Sequence, residues 1–160
     1  MRFIPYFLYL LLIGMHQVIW RDMTSIYGAA VNLAALMVLG VALYKSEVIA
    51  CWFGFAAGIV LAAGFPNVMG WHALTLAALG LAAYHVKERL NLESFYTKLL
   101  LMFVGILLHN ILASVIQSDR YFYQLWLNAL AGAIYTTVIA QIFFLFKEGV
   151  VTAKKIKSIF

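Results

Sequence analysis

Long apolar runs, broken by short polar punctuation, organise this chain. Six runs, at about 3–20, 27–44, 48–65, 70–86, 99–117 and 121–146, contain no Asp, Glu, Lys or Arg. The charged residues stand between or beyond them, at Arg2, Arg21–Asp22, Lys45–Glu47, Lys87 to Lys98, Asp119–Arg120 and from Lys147 onward. A helix rises ~1.5 Å per residue, so roughly 20 apolar residues cross a hydrocarbon layer ~30 Å thick. Such a crossing must satisfy its own N–H and C=O groups, which leaves helices or closed barrels, and runs without strict alternation select helices. The pattern predicts an all-α integral membrane protein. It is a compact bundle of six transmembrane helices forming one domain over residues 1–160, with a short basic tail at 147–160.

Composition agrees, because 66% hydrophobic and only 11% charged residues do not furnish a water-soluble surface. The net charge of +5 is accounted for by orientation, without a nucleic-acid partner. With the N-terminus inside, Arg2, Lys45, Lys87, Arg89, Lys98, Lys147, Lys154, Lys155 and Lys157 are cytoplasmic, and only Arg21 and Arg120 are outside. That bias follows the positive-inside rule and puts both termini in the cytoplasm. Trp20, Tyr27, Trp71, Tyr121, Tyr123 and Trp126 fall at the outer edge, and Tyr6, Tyr44, Tyr84 and Phe95 at the inner. The first run is followed by bulky and polar residues from Met15 to Arg21 rather than a small-residue cleavage site, so an uncleaved first helix is expected. The single Cys51 has no partner within the chain.

The connections leave no room for a soluble module, the longest being Lys87–Lys98. Pro66-Asn67, between Gly64 and Gly70, reads as a tight outer turn that would pack the third and fourth helices antiparallel. Asn91 opens either an interfacial helix carrying Leu92, Phe95, Tyr96 and Leu99 or an early start of the fifth helix. The lysines of the tail suit anionic lipid at the cytoplasmic face.

Candidate packing and partner-binding residues follow from small and polar side chains at helical spacing. These are Asn32 in the second run, Gly54, Ala57 and Gly58 in the third, and Gly70, Ala73, Ala77 and Gly80 in and beside the fourth. Asn110, Ala113, Ser114 and Gln117 share a face of the fifth, and Gln124, Asn128, Gly132 and Tyr135 one of the sixth. Acids and bases inside a membrane mark proton relays and ion paths, and the runs hold none, which argues against an ion-coupled pump. Nor is there a phosphate-binding loop or a Ser-His-Asp arrangement, so no enzyme is expected. His72 and His85 lie thirteen residues apart, a spacing that suits two stacked haems, yet His16 and His109 do not supply a matching pair at the right depths. Interhelical hydrogen bonding is the plainer role for the histidines, and no cofactor or metal is expected.

Three elements carry a family resemblance: Val31-Asn32-Leu33, Gly54-Phe55-x-x-Gly58 and Gly70-Trp71-His72-Ala73-Leu74. With the length and helix spacing, these resemble the rod shape-determining protein MreD family. The chain departs from the family at Val31-Asn32, where Pro-Asp is usual, and at Ala62-Ala63, where an Asp commonly follows the glycine element. The resemblance implies a non-enzymatic inner-membrane scaffold of bacterial cell-wall elongation. Its partners would be an MreC-like single-span protein and, through it, the MreB filament and RodA with its class B penicillin-binding protein. It also implies a fold like the substrate-binding components of energy-coupling-factor vitamin transporters, and such a component is the alternative reading. The Ala-x-x-x-Ala typical of their first helix has no counterpart in Phe3 to Gly14.

Overall fold

The computed structural model describes residues 3–25, 29–90, 94–117 and 122–147. Every regular element among them is helical. Helix α1 (Ile4–Met15) runs into a π-helical stretch (His16–Trp20) and a last turn, α2 (Arg21–Thr24). Then follow α3 (Leu33–Tyr44), α4 (Glu47–Leu61), α5 (Pro66–Arg89), α6 (Phe95–Gln117) and α7 (Phe122–Lys147). Two stretches, Phe95–Ile116 in α6 and Trp126–Leu145 in α7, are long and apolar enough to cross a membrane.

Several boundaries differ from the apolar runs, for local reasons. The first helix continues past Trp20 to Thr24, through Arg21 and Asp22, with Arg21 N–H donating to His16 O in the i→i+5 bond of a π-helix. The second run becomes a helix only at Leu33, because the Asn32 side chain accepts the Ala35 N–H and starts the helix there. At 12 residues α3 reaches only ~18 Å. The third run stops at Leu61, where the N–H groups of Ala62 and Ala63 turn back onto the carbonyls of Gly58 and Val60. Pro66 is not in a turn but opens α5, where its missing N–H costs nothing and its fixed φ suits the first helical position. Helix α6 already runs from Phe95, the early start; Asn91 and Leu92 lie outside the described residues, as does the tail beyond Lys147.

Helix α3 is the hub. It touches α1, α4, α5, α6 and α7, and Ala34, Ala35, Leu36, Val38, Leu39, Val41, Ala42 and Leu43 are all buried. A helix apolar on every side is enclosed on every side. Phe144, Leu76, Met102, Ile106 and Ile13 complete the fully buried core around it.

Helices α4 and α5 share the largest interface, and it is built on glycine. A Cβ on Gly54 would overlap the backbone of Leu76 and Ala77, one on Gly58 the backbone of His72 and Ala73, and one on Gly80 would lie 2.7 Å from Ala50 O. As position rises along α4 its contact falls along α5, so the pair is antiparallel. At the far end Glu47 opens α4 and Lys87 and Arg89 close α5, each sign at the pole that favours it. There His85 Nε2 stands 3.5 Å from Glu47, and Lys87 Nζ lies 4.5 Å from the Tyr84 ring centre.

Candidate functional site

The polar residues of the interior gather at the end of the bundle where α3 and α5 begin. Asn32 joins three helices there. Its Oδ1 caps α3 on Ala35 N at 3.0 Å, which fixes the orientation of the amide. The Nδ2 group then donates to both His109 Nδ1 at 2.8 Å and Asn110 Oδ1 at 2.7 Å, on α6. The Asn32 backbone N–H donates to Thr136 Oγ1 of α7 at 3.0 Å, and that hydroxyl donates to Gly132 O at 2.6 Å. Asn110 Nδ2 closes the circuit on Ala129 O at 3.2 Å.

This network settles the tautomer of His109. With Nδ1 accepting from Asn32, the ring proton sits on Nε2. His109 is 2% exposed, and its Nε2 has no hydrogen-bond partner among the described residues. His16 Nε2, on the π-helical stretch, also has no partner among the described residues, in a side chain 8% exposed. Burying the His109 donor unsatisfied costs about 1–3 kcal/mol. His72 is buried beside them, its ring centre 6.2 Å from that of His109. Arg21 lies close enough to His16 and His72 for its charge to act on both.

These groups line a cavity of about 720 Å³. Its polar wall is His16, Gln17, Arg21, Asn32, Asn67, His72, His109, Asn110, Ser114 and Asn128. Apolar side chains, among them Ile13, Leu61, Phe65, Val68 and Ile116, make up much of the rest. Both the size and the mixture of apolar wall with a few converging polar groups suit a small-molecule site. Among the described residues the wall carries one charged side chain, Arg21, and no carboxylate. No three His, Cys, Asp or Glu side chains among those residues come together as metal ligands. The arrangement can therefore donate hydrogen bonds and positive charge to a guest.

The candidate residues divide between two places. Gly54, Ala57, Gly58 and Ala73 are buried in the α4–α5 seam, with Ala77 and Gly80. Asn32, Asn110, Ser114 and Asn128 stand in the cavity wall, with Ala113 and Gly132. Gly70 belongs to neither: it is exposed on α5 and a Cβ there would meet nothing within 4 Å. Its candidacy rested on its small size, and here no neighbour comes close enough to need it. The side chains of Gln117 and Gln124 lie outside the described residues. Trp20, Trp71 and Trp126 are exposed on the outside of the bundle and do not line the cavity. His109 and Thr136 were not among the candidates, though each is a polar residue within an apolar run and His109 stands next to the candidate Asn110.

No family model, curated protein or solved structure gives a significant match to the chain.

Proposed function

We propose that the chain is a six-span protein of the bacterial inner membrane, both ends cytoplasmic, serving as a non-enzymatic scaffold of the cell-wall elongation machinery. The carrying observation is where the MreD-like residues lie. Gly54 and Gly58 meet the backbone of the helix that carries His72 and Ala73, so two of the three resembling elements form one physical device, a close helix seam. The third, Val31-Asn32-Leu33, starts the central helix.

The membrane reading draws on what the bundle exposes. Phe7, Leu11, Trp52, Ile59, Trp71, Leu74, Leu100, Val115, Ile134 and Ile142 all face outward, more apolar surface than a water-soluble monomer carries. The short α3 fits as well, since non-helical backbone is tolerated at membrane depth where it lines a cavity, as Ala30, Val31 and Asn32 do. Because the small-residue seam is filled from within the chain, an MreC-like partner would meet the outer apolar faces, and the basic tail would meet anionic lipid. Through that partner the scaffold would reach the MreB filament and RodA with its class B penicillin-binding protein.

The cavity favours a second reading, a substrate-binding component of an energy-coupling-factor transporter. Affinity purification in mild detergent separates the two. Recovery of an MreC-like single-span protein supports the scaffold; recovery of a coupling subunit with two ATPases replaces it by the transporter component.

A further inference from the structure

We propose that the least covered stripe of α3, between α1 and α7, is a docking groove for one transmembrane helix of another protein. The proposal rests on the scaffold reading only for the identity of that protein, an MreC-like single-span chain.

The groove follows from the order of the helices. Around α3 stand α1, α4, α5, α6 and α7, and α1 packs on α4, α4 on α5, α5 on α6 and α6 on α7. Between α7 and α1 no comparable interface closes the ring among the described residues. Packed helices keep their axes about 8–10 Å apart, and rods of one width fit about six around one. Five neighbours therefore leave room for one further helix against α3.

The exposure of α3 marks the same place. Leu33, Met37 and Gly40 are half-buried and Tyr44 is exposed, whereas every other residue of the helix is buried. The four recur at i, i+4, i+7 and i+11, which makes one straight stripe about 17 Å long. A Cβ on Gly40 would meet nothing within 4 Å, so the backbone of an incoming helix can approach closely there. Met37 beside it is a side chain that adapts its shape to what packs on it. Near Lys45 the stripe ends at Tyr44, whose ring centre lies 6.4 Å from that of Phe144 on α7. At the other end Leu33 joins the cavity wall, together with Ile13 of α1 and Gly132 of α7.

The chain does not supply the occupant itself. Outside the described residues, the segments 1–2, 26–28, 91–93 and 118–121 are too short to form one, and 148–160 carries Lys154, Lys155 and Lys157, which an apolar groove at membrane depth does not accept. Each helix of a second copy is held in its own bundle and brings its neighbours with it. A single-span helix brings none, and so fits a gap one helix wide.

The test is photo-crosslinking in cells of the source organism, with a benzophenone amino acid replacing Met37 in the full chain. Leu74, exposed on α5 across the ring from the groove, is the comparison position. Position 37 should capture a peptide from the membrane span of a single-span protein, and position 74 should not. Gly40→Leu puts a side chain into the groove and should lower recovery of that protein in mild detergent about tenfold or more, with thermal unfolding as in the wild type. Gly70→Leu, equally open at its Cβ but on α5, should leave recovery unchanged. Capture of lipid alone at position 37, capture of a second copy of the chain, or undiminished recovery with Gly40→Leu overturns the groove. An MreC-like protein that co-purifies without being captured at position 37 also overturns it, while the scaffold reading stands. A captured single-span protein of another kind keeps the groove and removes the MreC-like partner.

Discussion

Gly58 of α4 lies directly on the backbone of Ala73 in α5, so close that a Cβ at position 58 would overlap the Ala73 Cα and N atoms. Backbone cannot step aside as a flexible side chain can. Gly58→Ala should therefore destabilise the protein by about 1–3 kcal/mol, despite the better helix propensity of alanine. Gly70→Ala is the matched comparison on α5, exposed and with open space at its Cβ. It should be neutral or stabilising by up to ~1 kcal/mol. Thermal unfolding of the two variants in one detergent checks the pair; equal melting temperatures would mean the seam is not close-packed.

Asn32 is predicted to be the costliest polar residue to remove. Asn32→Ala loses the cap on Ala35, worth about 1 kcal/mol, and leaves His109 Nδ1 and Asn110 Oδ1 without their donor, worth about 1–3 kcal/mol more. Asn32→Ser keeps a capping oxygen but cannot reach both partners on α6, so it should recover only the first part. A double-mutant cycle with Asn110→Ala should show coupling of at least ~0.5 kcal/mol, as expected for directly bonded side chains. Additive losses in that cycle would show that the bond does not form in the membrane.

Adjacent threonines offer a sharper contrast. Thr136 accepts Asn32 N–H and donates to Gly132 O, whereas Thr137 donates to Ala133 O within its own helix. Thr136→Val orphans a backbone donor at the start of α3 and should cost about 1–3 kcal/mol. Thr137→Val removes only a local bond to a carbonyl already in the helix ladder, and should cost less than ~1 kcal/mol. Unfolding of the two variants by heat in the same micelle measures the difference, and a reversed order would place Asn32 elsewhere.

The helices were legible because ionisable residues cannot be left in an apolar interior: each charged cluster from Arg21 to Lys147 fell at or near a helix end. The seam was legible too, since Gly54, Ala57, Gly58 and Ala73 declare it at helical spacing. Exact ends were not. Whether Asn32 sits inside a helix or caps one depends on which way its amide turns, and the partners that decide it, His109 and Thr136, lie 77 and 104 residues away. The same separation hid the cavity. A histidine in an apolar run reads alike whether it bonds another helix or only packs, and only the meeting of α3 and α6 shows that His109 bonds Asn32.

The orientation itself can be tested on a single helix. Asn67 and Glu88 are both exposed at opposite ends of α5, and 21 residues of rise separate them by ~32 Å, about the thickness of the hydrocarbon layer. With Cys51→Ser removing the native thiol, Asn67→Cys and Glu88→Cys each present one label site. A membrane-impermeant maleimide applied to spheroplasts should modify position 67 and spare position 88 until the membrane is opened. Lys87 and Arg89 beside Glu88 are the basis of that expectation, since the positive-inside rule would put their end in the cytoplasm. Labelling at 88 alone would invert the protein and turn the cavity toward the cytoplasm. Labelling of both positions in sealed spheroplasts would mean that α5 does not cross the membrane, and the six-span reading would fail with it.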